Sequence, residues 1–392
     1  MSYNEIDILL AIEQANKTTP GNPTIADLKM VGKDFDLVFK QAQNKIPFAL
    51  GQYGKYRDIP GSAFIDFKGW VPMGTNGFEA PDFEIFLRAC GFKLTRVAGT
   101  GTIGHTTQAD KTISNVDTIA NIITGMYVGF SIGFDSADLI YKVTSVNVEG
   151  NSFEVDVAAA FTLSDAVIST YDYARQYTPS SNEADWKWLT MYKYSGAMVE
   201  KESILTAADS VLCDGTIEGT IGDVVKLSLT GKGYPGAEPM AATYPTNPPT
   251  LPSETIPLMM KASSAEFLDA DYNILKFSIA FKNKVELDKC NYSLDGATYG
   301  FNVADILDRD IEVKLSVLAG NITTDSPYGK LTVGTLGIFD IQTGETNKGI
   351  QYTSANNKFQ ITAIENGKEQ GLATLEITGK IAEDDLLIQS GV

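Results

Sequence analysis

Gly99-Thr100-Gly101-Thr102-Ile103-Gly104 has the G-x-G-x-x-G spacing of a dinucleotide-binding loop, and His105, the only histidine of the chain, follows it directly. That chemistry needs a helix starting at the loop, so that its free amides meet a pyrophosphate, and a carboxylate about 20 residues further on. Thr106-Thr107-Gln108-Ala109-Asp110 has no apolar period and supplies neither. A lone histidine in a Gly/Thr loop also lacks the partners that general-base or metal chemistry requires. Asp269-Ala270-Asp271-Tyr272-Asn273 opens like a calcium loop, but Ile274 stands where the turn glycine belongs and Ala280 where the bidentate glutamate belongs.

The remaining polar groups fit structural work better. Asp384-Asp385 and the trio Asp305, Asp308 and Asp310 are carboxylates near element ends, where dipole and solvent roles are commoner than paired acid–base catalysis. Arg309 reads as the partner of a structural ion pair. Trp186, Trp188, Tyr192 and Tyr194 alternate like a base-stacking platform, but their charged neighbours Glu183, Asp185, Lys187 and Lys193 are mixed in sign, which points to a sheet face or a subunit interface. Cys90, Cys213 and Cys290 are odd in number, far apart and without a C-x-x-C pair, so no zinc site can be assembled from them and a reducing compartment is expected. The expectation is a chain that is not an enzyme, with no catalytic, cofactor-binding or metal-binding residue and no cofactor.

The elements that hold these residues are mostly strands. Leu275, Phe277, Ile279 and Phe281 alternate with polar residues, as do Ile311, Val313, Leu315 and Val317, and Val225, Leu227 and Leu229. Period-two alternation marks antiparallel strands with one dry and one wet face. Lys93 to Val97 reads as a further strand. Lys358 to Glu365 and Gly371 to Ile381 read as a hairpin around Asn366-Gly367. Ala80-Pro81-Asp82 followed by Phe83, Phe86, Leu87 and Cys90, with Gly91 as the stop, predicts one short helix, and Asn302 to Asp308 predicts its counterpart in the second half.

Two short matches tie the halves together. Leu227-Ser228-Leu229-Thr230-Gly231-Lys232 returns as Leu375-Glu376-Ile377-Thr378-Gly379-Lys380, and Leu189-Thr190 returns as Leu331-Thr332 at the head of an expected strand. The expected fold is mainly β, with two tandem β-sandwich or barrel units each carrying one short helix, plus a small inserted β subdomain. The first unit spans 1–105 and 171–236, the insert 106–170, a Pro-rich linker 237–257 and the second unit 258–392. Within the insert, Gly125 to Phe130, Leu139 to Val148 and Ser152 to Val157 read as short strands.

The 392 residues carry 49 acidic and 31 basic side chains, a formal charge of −18, which argues against gripping nucleic-acid phosphates but not against letting a nucleic acid slide past. The start of the chain has no basic, signal-like region and no apolar run approaches about 18 residues, so a cytoplasmic product without membrane insertion is expected. The sequons at Asn16, Asn291 and Asn321 then read as chance.

Gly61-Ser62-Ala63-Phe64-Ile65-Asp66-Phe67-Lys68-Gly69, leading to Ala80-Pro81-Asp82-Phe83-Glu84-Ile85-Phe86-Leu87-Arg88-Ala89-Cys90-Gly91-Phe92, resembles the tail tube proteins of long-tailed, siphovirus-type bacteriophages. Leu87-Arg88-Ala89-Cys90-Gly91-Phe92 is its most specific part. Leu10-Ala11-Ile12-Glu13, Tyr177-Thr178-Pro179-Ser180-Ser181, Leu229-Thr230-Gly231 before the Pro-rich stretch and the acidic-apolar C-terminal end are similar too. The resemblance implies a structural virion protein without catalytic residues. Its rings would stack into the tube that conducts double-stranded DNA, unbound, into the host.

The resemblance also implies other tail proteins as partners: the tape measure, the tail terminator and the distal tail protein. Assembly in the host cytoplasm, a final place in the virion tail, and a lumen acidic enough to repel DNA belong to the same expectation. Two units per chain would let three chains close a pseudo-hexameric ring, with a plain hexamer as the alternative. A secreted or virion-surface β-sandwich serving binding or adhesion is the competing function.

Overall fold

The computed structural model describes residues 5–14, 23–24, 27–29, 31–32, 34–48, 55–75, 81–95, 102–103, 107–109, 112–114, 116, 119, 122, 124, 126–130, 140–156, 168–171, 175–197, 202–243, 256–260, 263–267, 270–287, 304–318, 327–344, 349–369, 371–382 and 385–390. The protein is mainly β, with two short helices and several antiparallel sheets that include a curled half-barrel.

Eight strands form one continuous run: β1 (Asp36–Phe48), β2 (Lys55–Pro72), β3 (Glu202–Thr220), β4 (Lys226–Thr243), β5 (Ala270–Ala280), β6 (Glu312–Leu318), β7 (Phe359–Glu369) and β8 (Leu372–Ile381). Every neighbouring pair is antiparallel, and the spatial order is β1-β2-β4-β3-β5-β6-β8-β7. The first four positions and the last four repeat one topology: a first pair of strands, then the last strand, then the last but one. They meet where β3 lies beside β5, Thr216 opposite Ala280 and Glu218 opposite Ser278.

Alternation decides which face is dry. Leu37, Phe67, Leu227, Leu229, Ile217, Phe277, Ile279, Val313, Leu315, Ile377 and Phe359 turn to one side and are buried. They face a second layer made by the strands Ser263–Phe267, Phe339–Thr343, Ile350–Ser354, Leu386–Ser390, Arg175–Pro179 and Phe92–Thr95. Ser263–Phe267 also pairs with the start of β5, which is where the sheet turns over on itself. Residues of both halves thus share one core. Two large rings lie against strand glycines: a Cβ on Gly219 would lie 2.3 Å from the Phe277 ring, and one on Gly379 would lie 2.3 Å from the Phe359 ring.

β3 changes direction between Asp209 and Leu212, where the register slips and Ser210 adopts φ +51°. Such a bulge bends a strand strongly. Its first part therefore pairs with Trp188–Ala197, which carries Glu5–Gln14 on its far edge, and its second part pairs with β5. β4 runs on to Thr243 across Pro235 and Pro239, so the stretch expected as a linker opens as strand. Among the described residues its pairing with β2 ends at Gly233, and an edge beyond the ladder tolerates proline. Ile256–Pro257, at the other end of that stretch, pairs with Gly74–Thr75.

The helix α1 (Phe83–Ala89) forms where the apolar spacing places it, and Phe83, Phe86, Leu87, Ala89 and Cys90 are buried. Phe86 stacks on Phe67 with centroids 6.2 Å apart, and Phe83 meets Tyr177 edge-on at 5.9 Å. Full burial of each such ring contributes about 1.5–3 kcal/mol. Gly91, at φ +78°, ends the helix in the left-handed conformation that glycine adopts without strain.

The second helix lies elsewhere than expected. Ala304–Ile306 is a strand paired with Val285–Leu287, because Ala304 and Ile306 pack on Trp186 and Trp188 rather than along a helical stripe. The helix of the second half is α2 (Pro327–Val333), which holds Leu331-Thr332 and corrects the expectation of a strand head there. It follows β6 as α1 follows β2, and Gly334, at φ +67°, ends it as Gly91 ends α1.

The hairpin of β7 and β8 forms with its turn displaced. Asn366 and Gly367 lie inside β7, opposite Leu375 and Thr374, and the turn falls at Gly371, with φ +84°. Between the halves of the first four-strand set, Thr102–Ile103, Thr107–Ala109, Thr112–Ser114, Tyr127–Phe130, Ile140–Asn147, Ser152–Val155 and Ile168–Tyr171 form a separate seven-stranded sheet. Ile113, Val128, Val143, Phe153 and Val155 give it a core of its own.

Candidate functional site: the wet face and open edges of the eight-stranded sheet

Residues on the wet face of the eight strands stand opposite one another in rows. One row runs Trp70, Ser228, Thr216, Ala280, Glu312, Lys380 and Gln360; the next runs Lys226, Glu218, Ser278, Lys314 and Thr378. Lysines and carboxylates alternate across strands and pair. Lys40 meets Asp66, Lys226 lies 3.5 Å from Glu218, Lys282 and Lys314 lie 2.6 and 3.2 Å from Glu312, and Lys380 lies 2.7 Å from Asp310. The hydrogen bond from Lys282 holds the Glu312 carboxyl below the usual carboxylate range, against its partial burial. The hydrogen bond to Asp310 raises Lys380 in the same way.

Exposed pairs of this kind contribute little stability. Their effect is on the surface: neighbouring carboxylates neutralise the lysine charge. A groove of about 590 Å³ crosses one end of this face, lined among others by Lys40, Asp66, Lys68, Asp214, Lys232 and Glu286. Both signs of charge share it.

The two ends of the run are open among the described strands. β1 pairs only with β2. β7 pairs with β8 along its length, and the short strand Leu336–Gly337 reaches only Gln360 and Phe359 on its other side. Val38 at one end is exposed, as are Tyr328, Val333 and Leu336 beside the other. An uncovered edge presents unpaired backbone N–H and C=O groups, a template for another strand.

Two buried polar clusters fix the layers behind this face. Glu84 Oε2 accepts from Arg175 Nη1 at 2.7 Å and from Tyr177 Oη at 2.6 Å, joining α1 to the second layer. Burial, with the Glu84 charge beside it, pushes the Tyr177 phenol well up. At the other end of α1, the Cys90 carbonyl accepts from Arg309 Nη2 and Asn283 Nδ2 at 2.7 and 2.8 Å. Asn283 also donates to the Cys213 carbonyl at 3.1 Å. Burial raises both thiols, Cys90 and Cys213, which are free.

The residues singled out for chemistry are dispersed. Gly99 to Gly101, Gly104, His105, Asp269, Cys290 and Asp384 lie outside the described residues, and Thr102–Ile103 is a strand paired with Ile168–Ser169. Ala270 to Asn273 belong to β5 rather than to a loop. Asp308 caps its own neighbour by accepting from Arg309 N, Asp310 pairs with Lys380, and fully buried Asp385 accepts from the amides of Asn356 and Lys358. Arg309 donates to Asn283 Oδ1 and to the Cys90 carbonyl and lies over the Phe92 ring.

Trp186 and Trp188 are buried, their indole N–H groups bonded to the carbonyls of Ser180 and Ala304, so they are no stacking platform. No group of three or more potential metal ligands occurs among the described residues. No helix among them is long and apolar enough to cross a membrane.

The open edges carry no sequence motif as edges. A further internal match marks the strands that form the sheet: Phe35-Asp36-Leu37-Val38-Phe39-Lys40 beside Phe277-Ser278-Ile279-Ala280-Phe281-Lys282, with Asp66-Phe67-Lys68 beside Glu312-Val313-Lys314. A scan against protein-family models finds no match for this chain. A search of curated proteins finds no similar one.

Proposed function

We propose that this chain is the repeating subunit of a phage tail tube, a structural virion protein that forms stacked rings around a channel for DNA. The observation that carries the proposal is the strand order that occurs twice in one sheet, with the two sets joined edge to edge at β3 and β5. A unit that joins its own copy within a chain has the means to join it again between chains, and closing such a series into a ring removes every exposed edge. In this account the two sets are tandem tube units, and three chains supply six of them.

The dimensions agree with a conduit. Three chains of eight strands, at 4.7–4.9 Å per strand and a tilt of 35–45°, close into a barrel roughly 45–50 Å across between backbones. Side chains from both walls still leave room for a duplex. The dry face is covered by the second layer, so the wet face lines the bore. That face is charge-compensated rather than uniformly acidic, which modifies the electrostatics expected from the net charge of −18. Lysines held by carboxylates and interspersed Ser and Thr hydroxyls give DNA little to adhere to.

In the virion, the rings would contact the tape measure, the tail terminator and the distal tail protein, and the function requires neither catalysis nor a cofactor. Electron microscopy of the purified protein tests it. Stacked annuli with a central hole are expected; a solitary particle at every concentration, as a surface-binding module would give, overturns it.

A further inference from the structure

We infer that β7 of one chain pairs antiparallel with β1 of the next, in the register that β3 and β5 use inside the chain. This rests on the ring proposal and specifies its joint. The two four-strand sets can be laid on one another through their ladders. Ser228 of β4 stands opposite Thr216 and Trp70, and Glu376 of β8 stands opposite Glu365 and Ser316, so Thr216 corresponds to Glu365 and Trp70 to Ser316. One strand further out, Asp36 stands opposite Lys68 and Ser278 opposite Lys314, so Asp36 corresponds to Ser278 and Val38 to Ala280.

Within the chain, Thr216 meets Ala280, Ile217 meets Ile279 and Glu218 meets Ser278. The same joint between chains therefore sets Glu365 opposite Val38, Asn366 opposite Leu37 and Gly367 opposite Asp36. β1 corresponds to β5 and β7 to β3, so this is a head-to-tail contact, the kind that builds rings when its rotation closes. A slip of one residue would turn Leu37 from the dry face to the wet one, so the pattern itself enforces the register.

The local chemistry fits. Lys40 lies diagonal to Glu365 in this register, within reach of an ion pair. Val38, which is 36% exposed in the single chain, becomes a paired residue. α2 stands on the dry side of β7, with Tyr328 Oη bonded to Asn366 Oδ1 at 3.4 Å. Its exposed Tyr328 and Val333, with nearby Leu336, are then placed to be covered by the adjoining chain.

The test is a double variant of the full chain, Val38→Cys with Glu365→Cys, oxidised after assembly and run on a denaturing gel without reductant. Residues directly opposite in an antiparallel pair have Cα atoms about 4.5–5.5 Å apart, within disulfide range. Covalent species of two and three chains are expected. Val38→Cys with Glu369→Cys, on the same face but out of register, should give at least about tenfold less. The reduced double variant should unfold at the parent's midpoint, which controls for folding. Annuli that form while the in-register pair fails to link overturn this joint and leave the ring intact. Loss of annuli in the parent itself overturns the ring.

Discussion

Arg309 Nη2 donates to the Cys90 carbonyl at 2.7 Å, tying the second half of the chain to the end of the helix in the first. The guanidinium also donates to Asn283 Oδ1 at 2.7 Å and lies 5.5 Å from the Phe92 ring centroid. Arg309→Ala should lower unfolding free energy by about 2–4 kcal/mol, from lost charged hydrogen bonds and the ring contact. Arg309→Lys should recover little of it, because an ammonium cannot reach both acceptors in one plane. Urea unfolding of the two variants measures this.

The buried carboxylate of Glu84 makes a second prediction. Glu84→Ala removes the carboxylate that Arg175, 6% exposed in its side chain, meets at 2.7 Å and should cost about 3–5 kcal/mol. Tyr177→Phe removes only one hydrogen bond to the same oxygen and should cost about 1 kcal/mol. Thermal unfolding that ranks them the other way would contradict the assignment of Glu84 as the hub.

Burial raises the carboxyls of Asp209, Asp214 and Glu13 above their ordinary values. A raised carboxyl binds its proton more tightly in the folded chain, so its contribution to stability is complete below the unfolded value and declines as pH rises through the folded one. Stability should therefore fall as pH climbs from about 4, the ordinary Asp and Glu range. Asp214→Asn keeps an acceptor for the amides of Asn283 and Gly215 and should flatten this decline. Denaturation midpoints of both proteins from pH 4 upward give the comparison.

Gly219→Ala and Gly379→Ala should each destabilise by about 1–3 kcal/mol, because the added methyl meets a packed ring that has no room to retreat. Gly371→Ala meets no atom within 4 Å, but it must hold φ +84° and should cost about 1 kcal/mol. Equilibrium unfolding separates crowding from backbone strain.

The strands were legible because one face is dry: Phe277 to Phe281 and Ile311 to Val317 fall where their alternation puts them, whereas Leu275 sits at the register shift between Ile274 and Lys276 and Ile274 is buried in its place. α1 was legible from its apolar stripe and its glycine stop. α2 was not, since Gly329, Thr332 and Val333 are weak helix formers held by contact with β7 rather than by propensity. Asn366-Gly367 misled as a turn signal because β7 continues past it, with Gly367 packed so close to Thr374 that a Cβ would lie 2.6 Å from its hydroxyl.

The repeated Leu227–Lys232 and Leu375–Lys380 segments do correspond, as β4 and β8 in matching places of one sheet. The match of Leu189-Thr190 with Leu331-Thr332 does not, since one pair lies in a strand and the other in a helix. The match of Phe35–Lys40 with Phe277–Lys282 lies at a different spacing, because the intervening segments differ in length, and stands out once the strand pairing is known. A candidate surface made of backbone edges leaves no residue signature, so it could not be read before the order of strands was known.

Native mass spectrometry of isolated rings tests the central claim most directly. Three chains per ring are expected, six four-strand sets in one closed barrel. Six chains per ring, or a monomer at every concentration, would contradict it.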